Sequence, residues 1–212
     1  MEEAFDRQGV RGFLHEPENA NGNLLLLTHG AGSNCGAPML VRLARAFEAS
    51  GYLVLRYDLP FRQLKPKGSP HPSGAARDRE GIAAAVEIAR TLASGRIFAG
   101  GHSYGGRQTA MLAATRLGLA RALLLLSYPL HPPNQPENKR TAFFPDLLVP
   151  VLFVHGTRDP FASLEELRDA MTLIPGHTDL LPVEGAAHDL SRAPDLALDL
   201  IARLEAAACY SE

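Results

Sequence analysis

Short apolar segments alternate with segments of helical period from about residue 24 to the end of the chain. This alternation is typical of repeated strand–helix units, in which helices cover a mostly parallel sheet. Central strands are predicted at 24–27, 52–57, 96–100, 122–127, 151–155 and 179–183, with a weaker edge strand at 9–15. The sequence therefore predicts an α/β fold whose mostly parallel sheet has about seven strands.

Helices are predicted between these strands, where apolar residues recur every three or four positions. They are marked by the sets Leu40/Leu43/Phe47, Ile82/Val86/Ala89, Leu164/Leu167/Met171 and Leu196/Leu200/Leu204. An apolar helix face beside strands is usually core, so we interpret these faces as core rather than as surfaces for a partner.

Length and composition narrow the class of protein. The 212 residues fit one domain, which we place at 1–212. A net charge of −2 argues against nucleic-acid binding, and the apolar runs are too short to span a membrane. The acidic start of the chain does not resemble a secretion signal, and two cysteines without CxxC spacing favour the reducing cytoplasm. We therefore expect a cytoplasmic globular protein.

Proline is concentrated in two segments, 59–76 and 128–146, which together hold nine of the 16 prolines. Long connections without regular structure are usually functional loops or disordered linkers. Both segments follow the carboxyl ends of predicted strands, which is the side where open α/β sheets bind ligands. We expect two semi-rigid loops that wall a shallow pocket at this edge.

The strongest chemical motif is Gly-His-Ser-Tyr-Gly-Gly at 101–106, between a predicted strand and a helix-capable run. A nucleophile on so sharp a turn needs small residues two positions before and two after it, because side chains there would collide. Gly101 and Gly105 occupy those positions around Ser103. The motif therefore predicts Ser103 as a nucleophile.

A serine hydroxyl needs a general base and a group that orients the base. Asp159 follows the strand at 151–155, and His188 follows the strand at 179–183. We predict that both converge on Ser103, with His188 as base and Asp159 as its acid. Two rival acids are weaker: Asp58 is better placed to orient a loop, and Asp189 adjoins His188 too closely to reach its ring.

Acyl transfer also needs two donors for an oxyanion. We predict the backbone N–H of Tyr104, which begins the following helix, and that of Ala31 in the glycine-rich turn at 28–33. The alternative interpretation is that this turn only joins a strand to a helix.

Neither a metal nor a cofactor is predicted. His29, His102, His155 and His188 all lie near strand ends, but their spacing is not that of a helical metal site. The first three fit roles in ordering loop backbone. Cys35 lacks the small neighbours of a nucleophile and is better interpreted as an inert small hydrophobe.

The motifs at 101–107, 128–133 and 156–161 resemble those of the α/β-hydrolase superfamily, and the resemblance runs from roughly residue 9 to the end. More narrowly, the chain resembles a small capless branch described as dienelactone-hydrolase-like. That branch includes a testis-expressed eukaryotic protein and the hydrolase-like domain of a chromatin acetyltransferase-complex subunit. A chain of this length leaves little room for a separate cap.

The resemblance implies a catalytic triad of Ser103, Asp159 and His188. Dienelactone hydrolases have cysteine where this chain has Ser103, so the resemblance does not supply a substrate. We predict a serine hydrolase acting on a small or medium carboxylic ester or thioester. The alternative is a catalytically silent interaction module, because an intact fold does not by itself imply turnover.

Cations in the two proline-rich loops bear on the substrate. The loops contain all three lysines, Lys65, Lys67 and Lys139, together with Arg62 and Arg140, and Arg77 directly follows the first loop. One hypothesis is that they favour an ester with an anionic group, and the other is that they merely solvate long loops.

Overall fold

The computed structural model describes residues 1–190 and 197–211, and within these the strands form one sheet of eight in the order β1-β2-β4-β3-β5-β6-β7-β8. β1 and β2 run antiparallel to their neighbours, whereas the remaining pairs are parallel. The strands are β1 (Glu2–Arg7), β2 (Val10–His15), β3 (Leu24–Thr28), β4 (Leu53–Asp58), β5 (Ile97–His102), β6 (Ala122–Leu126), β7 (Val151–Gly156) and β8 (Thr178–Val183). The predicted fold class is confirmed.

The helices are α1 (Pro38–Ala49), α2 (Pro60–Leu64), α3 (Ala75–Leu92), α4 (Tyr104–Thr115), α5 (Leu164–Met171) and α6 (Ala197–Ala208). Proline at the first position of α1 and α2 fits a helix start, where its missing N–H is not needed. A capping box between Ser163 and Glu166 starts α5. Leu196, which the sequence places in the last helix, lies outside the described residues.

The helices pack on both faces of the sheet. One apolar cluster joins α3, α4 and α5 to one face, through residues such as Ile82, Ala110 and Leu167. The other joins α1 and α6 to the opposite face, through residues such as Phe47 and Leu204. All residues of β3 and β6 are buried, as expected for strands covered on both sides.

The sequence prediction missed β1 and wrongly placed β2 at the edge of the sheet. β1 has no alternating apolar pattern, because only Phe5 among its residues is buried. It pairs with β2, and Glu2 forms an ion pair of 2.7 Å with the buried Arg56 of β4. A polar edge strand gives little apolar signal, so pairing and this ion pair reveal β1 where periodicity does not.

The carboxyl ends of the parallel strands meet at one edge of the sheet. The first proline-rich loop is more regular than predicted there, since it contains α2 and a 3₁₀ turn at Pro72–Gly74. The second contains only a short 3₁₀ turn at Phe144–Asp146. Within the described ranges, no inserted helices form a separate cap, and no helix has the length and apolar character to cross a membrane.

Candidate active site

Ser103 lies on the turn between β5 and α4 with φ 48° and ψ −113°. This backbone conformation is uncommon for a residue with a side chain and is typical of strained functional turns. The N–H of Ser103 donates to the carbonyl of Leu126 over 2.8 Å, which holds the turn against β6. The residue is only 8 % exposed.

The glycines around Ser103 are required by close backbone contacts. A Cβ at Gly101 would lie 2.5 Å from the carbonyl oxygen of Thr28, and one at Gly105 would lie 2.5 Å from that of His29. Real Cβ atoms essentially never come so close to backbone oxygen. The turn therefore packs directly on the loop after β3, for the steric reason that the sequence motif indicates.

A chain of hydrogen bonds joins the three residues predicted for catalysis. His188 Nε2 lies 2.8 Å from Ser103 Oγ, and His188 Nδ1 lies 2.8 Å from Asp159 Oδ2. The Asp159 side chain is fully buried, whereas that of His188 is 23 % exposed. The structure thus brings together three side chains from three separate loops at distances suited to proton transfer.

The surroundings of Asp159 favour its charged form. Burial by itself would raise the pKa of this carboxyl, but the hydrogen bond and charge of His188 outweigh burial and hold the pKa below its ordinary value. Its second oxygen accepts the N–H of Phe161 over 2.9 Å. An ionised, fixed carboxylate can orient the imidazole through Nδ1.

The rival acid and the rival nucleophile have other roles. Asp58 accepts the N–H of Cys35 over 2.7 Å, so it orients the loop that follows β3. Burial, followed by the charge of Asp58, raises the pKa of the Cys35 thiol to about 12. A thiol so hard to ionise is a poor nucleophile at neutral pH.

The loop after β3 lies against the nucleophile. A Cβ added to Gly30 would lie 3.5 Å from Cβ of Ser103 and 2.8 Å from Nδ1 of His102. The N–H groups of Ala31 and Tyr104, predicted as oxyanion donors, have no acceptor among the described residues. Both N–H groups are therefore free to donate to a ligand.

Arg62 of α2 fixes this loop, a role that the sequence does not reveal. Its buried guanidinium donates to the carbonyls of Ala31 and Ser33 over 2.8 and 2.6 Å. It also donates to the carbonyls of Lys65 and Gly68, over 3.0 and 2.9 Å, in the first proline-rich loop. Arg62 therefore ties the proposed oxyanion loop to the proline-rich loop, and its donors are directed at backbone.

Three other histidines each hold one loop of the site. His29 Nε2 accepts the N–H of Leu59 over 3.1 Å, His102 Nε2 bonds to the carbonyl of His188 over 2.7 Å, and His155 Nε2 bonds to the carbonyl of Ala162 over 3.0 Å. Burial lowers the pKa of all three. In the part of the chain that the structure describes, no three His, Cys, Asp or Glu side chains are grouped to hold a metal ion.

The sequence matches the family described as alpha/beta hydrolase domain over residues 21–209, and the chain belongs to this family. Solved structures share the fold at low identity. A dienelactone hydrolase from Anabaena variabilis is 21 % identical with a TM-score of 0.71, covering 99 % of this chain and 96 % of that one.

Two further structures have the same fold. Est1E from Butyrivibrio proteoclasticus is 19 % identical with a TM-score of 0.69, covering 99 % of this chain and 96 % of that chain. An α/β serine hydrolase without a lid, from Xanthomonas campestris, is 16 % identical with a TM-score of 0.71, covering 99 % and 93 %. The fold and family define a small α/β hydrolase, as the sequence resemblance implies.

Proposed function

We propose that this protein is a serine hydrolase that cleaves small or medium carboxylic esters or thioesters through an acyl-enzyme on Ser103. The observation that carries the proposal is the continuous hydrogen-bond chain from Ser103 Oγ through His188 to Asp159. It begins on a strained turn beside two free backbone donors, which is the arrangement that acyl transfer needs.

In the acylation step, Ser103 Oγ attacks the acyl carbon while His188 Nε2 accepts the hydroxyl proton. The carbonyl oxygen becomes an oxyanion, to which the N–H groups of Ala31 and Tyr104 donate. When the tetrahedral intermediate collapses, the bond to the leaving oxygen or sulfur breaks. His188 returns the proton to that atom, so an alcohol or thiol departs and the acyl group stays on Ser103.

Deacylation repeats these steps with water as the nucleophile. His188 removes one proton from water, whose oxygen attacks the acyl carbon, and the same two N–H groups hold the second oxyanion. Collapse breaks the bond to Ser103 Oγ, which regains its proton from His188. A carboxylic acid is released, and Asp159 remains ionised throughout because it only orients and stabilises the imidazole.

Aromatic side chains near the triad support a substrate with an apolar part. The Phe161 ring centroid lies 4.2 Å from that of His188, and Phe61 meets Tyr104 edge-on at 5.7 Å. Phe61 also lines a cavity of about 510 Å³ along the first proline-rich loop. These surfaces suit a small or medium acyl or alcohol group.

The decisive experiment is labelling with a fluorophosphonate probe, which reacts with an activated serine. We expect the wild-type protein and the Cys35→Ala variant to be labelled, whereas Ser103→Ala should not be. Cys35→Ala is the matched control because it removes the other candidate nucleophile. A folded wild-type protein that stays unlabelled and hydrolyses no ester would contradict the proposal and favour the silent interaction module.

A further inference from the structure

Arg107 lies one helical turn beyond the nucleophile. Its N–H donates to the carbonyl of Ser103 over 2.9 Å in the first turn of α4. Side chains in a helix lean toward its N-terminus, and residues three apart share a face. Because Arg107 and Tyr104 are three residues apart, they share the helix face beside the turn that carries Ser103. Both residues are half-buried.

The Arg107 guanidinium has no counter-charge in the part of the chain that the structure describes. Among the described residues, no carboxylate lies within ion-pair distance of it, and its buried Nε has no hydrogen-bond partner. Placing a charged group in a partly buried position without a counter-charge is costly, so an unpartnered buried donor needs an explanation such as a bound ligand. This contrasts with Arg62, whose donors are occupied by backbone carbonyls.

A second guanidinium, that of Arg140, is held near that of Arg107 by the second proline-rich loop. The Tyr128 hydroxyl donates to the Arg140 carbonyl over 2.6 Å, and Arg140 Nη1 donates to the carbonyl of Pro129 over 3.1 Å. Within the described ranges, Arg140 forms no ion pair with a carboxylate. The backbone bonds fix its position, but they leave its charge uncompensated.

The two positive charges act on each other and on the tyrosine between them. Burial lowers the pKa of Arg140, and the charge of Arg107 lowers it further. Burial raises the pKa of Tyr128, while both arginines oppose that rise. Two like charges around one buried ring therefore repel each other, and an anion bound between them would relieve the repulsion.

We propose that Arg107 and Arg140 form a binding site for a carboxylate on the substrate. This inference rests on the proposed function and specifies its substrate class: esters whose acyl part carries a carboxylate, such as monoesters of dicarboxylic acids. Guanidinium groups match carboxylates through paired hydrogen bonds. The other cations are not part of this site, because the three lysines and Arg77 are exposed and Arg62 donates to backbone carbonyls.

The test compares two esters of equal acyl length, the mono-4-nitrophenyl ester of glutaric acid and 4-nitrophenyl valerate. At low salt we expect wild-type kcat/KM to favour the glutarate ester by about tenfold or more, and added salt should reduce the preference. Arg107→Gln and Arg140→Gln should each lower that preference by about tenfold, because each removes a partner of the carboxylate and not the contacts that both esters share. Arg42→Gln removes an exposed charge on α1 and should leave both rates unchanged.

A second measurement does not depend on turnover. Glutarate binding to the Ser103→Ala protein, measured by calorimetry, should weaken by about tenfold when Arg107→Gln or Arg107→Lys is added. The Lys variant guards against loss of folding, since it keeps charge and length. The carboxylate site would be overturned if the wild-type protein showed no preference for the glutarate ester. It would also be overturned if the substitutions changed neither that preference nor glutarate binding. A wild-type protein that is neither labelled by the fluorophosphonate nor able to hydrolyse the valerate ester would instead overturn the proposed function.

Discussion

His102 Nε2 donates a hydrogen bond to the backbone carbonyl of His188 over 2.7 Å. The residue before the proposed nucleophile thus holds the main chain of the proposed base, so the loops that carry them are fixed to each other by one imidazole. Burial, the largest cause, lowers the pKa of His102 to about 4. The ring is therefore neutral at pH 7, where Nε2–H serves as the donor.

Because the pKa of this half-buried histidine is lowered, we expect the protein to lose stability in acid. A group whose pKa falls on folding binds more protons in the unfolded chain, so its contribution to stability is lost as the pH falls from 6.5 to about 4. Replacing His102→Gln keeps a donor but removes the titration. Between pH 7 and 4.5 the variant should lose about 2 kcal/mol less unfolding free energy than the wild type.

Chemical denaturation at several pH values measures this difference. His71→Gln is the control, because it makes the same substitution at an exposed position in the first proline-rich loop. Identical slopes for His102→Gln and the wild type would show that His102 does not titrate as its burial implies.

The close packing of the nucleophile turn predicts intolerance of a single methyl group. Gly105→Ala would place a Cβ 2.5 Å from the carbonyl of His29, so the turn and the proposed oxyanion loop must separate. We expect a loss of about 1–3 kcal/mol in stability and at least about 100-fold in kcat/KM. Gly74→Ala is the control, since nothing lies within 4 Å of its Cβ. Equal activity of the two variants would contradict this account.

The strand ends explain why the candidate site could be predicted from sequence. Ser103 and Asp159 follow buried strands, and His188 follows the partly buried edge strand β8. Parallel strands bring their carboxyl ends to one edge. The order of elements therefore places the three loops together before any contact is known. In the structure, hydrogen bonds join the three side chains.

Other features depend on contacts that sequence patterns do not encode. β1 is polar and has one buried residue, so no periodicity distinguishes it from a loop. Arg62 and Arg140 look alike in sequence as loop cations. In the structure, however, the Arg62 guanidinium donates to four backbone carbonyls, whereas that of Arg140 donates to one, the carbonyl of Pro129. The direction of a side chain decides its role here, and direction comes from tertiary packing.

Replacing the Asp159 carboxylate with an amide should greatly reduce catalysis while changing the structure little. Asp159→Asn keeps the size of the side chain but can donate to Nδ1 of His188 and so stabilise the wrong tautomer. We expect kcat to fall by about 10³–10⁴-fold, with slower fluorophosphonate labelling. Asp58→Asn is the matched control, because its oxygen can still accept the Cys35 N–H. A loss of similar size at Asp58 would contradict the assignment of Asp159.

Because Arg62 holds the loop that carries Ala31, replacing it should weaken oxyanion stabilisation. Arg62→Lys keeps the charge but cannot donate to all four carbonyls that the guanidinium reaches. The loop carrying Ala31 should then shift, lowering kcat by about 10–100-fold with little change in KM. Affinity for a trifluoromethyl ketone, which forms an oxyanion on the enzyme, should fall in parallel with kcat/KM.

Affinity for the ketone separates positioning from a general loss of stability. Only an altered oxyanion site would weaken ketone binding while substrate KM stays constant. Arg42→Lys on α1 makes the same chemical change at an exposed position and serves as the control. Unfolding measurements should show Arg62→Lys folded under assay conditions, although about 2 kcal/mol less stable because charged hydrogen bonds are lost. If Arg62→Lys kept wild-type affinity for the ketone, the guanidinium would be only a structural tie between the two loops.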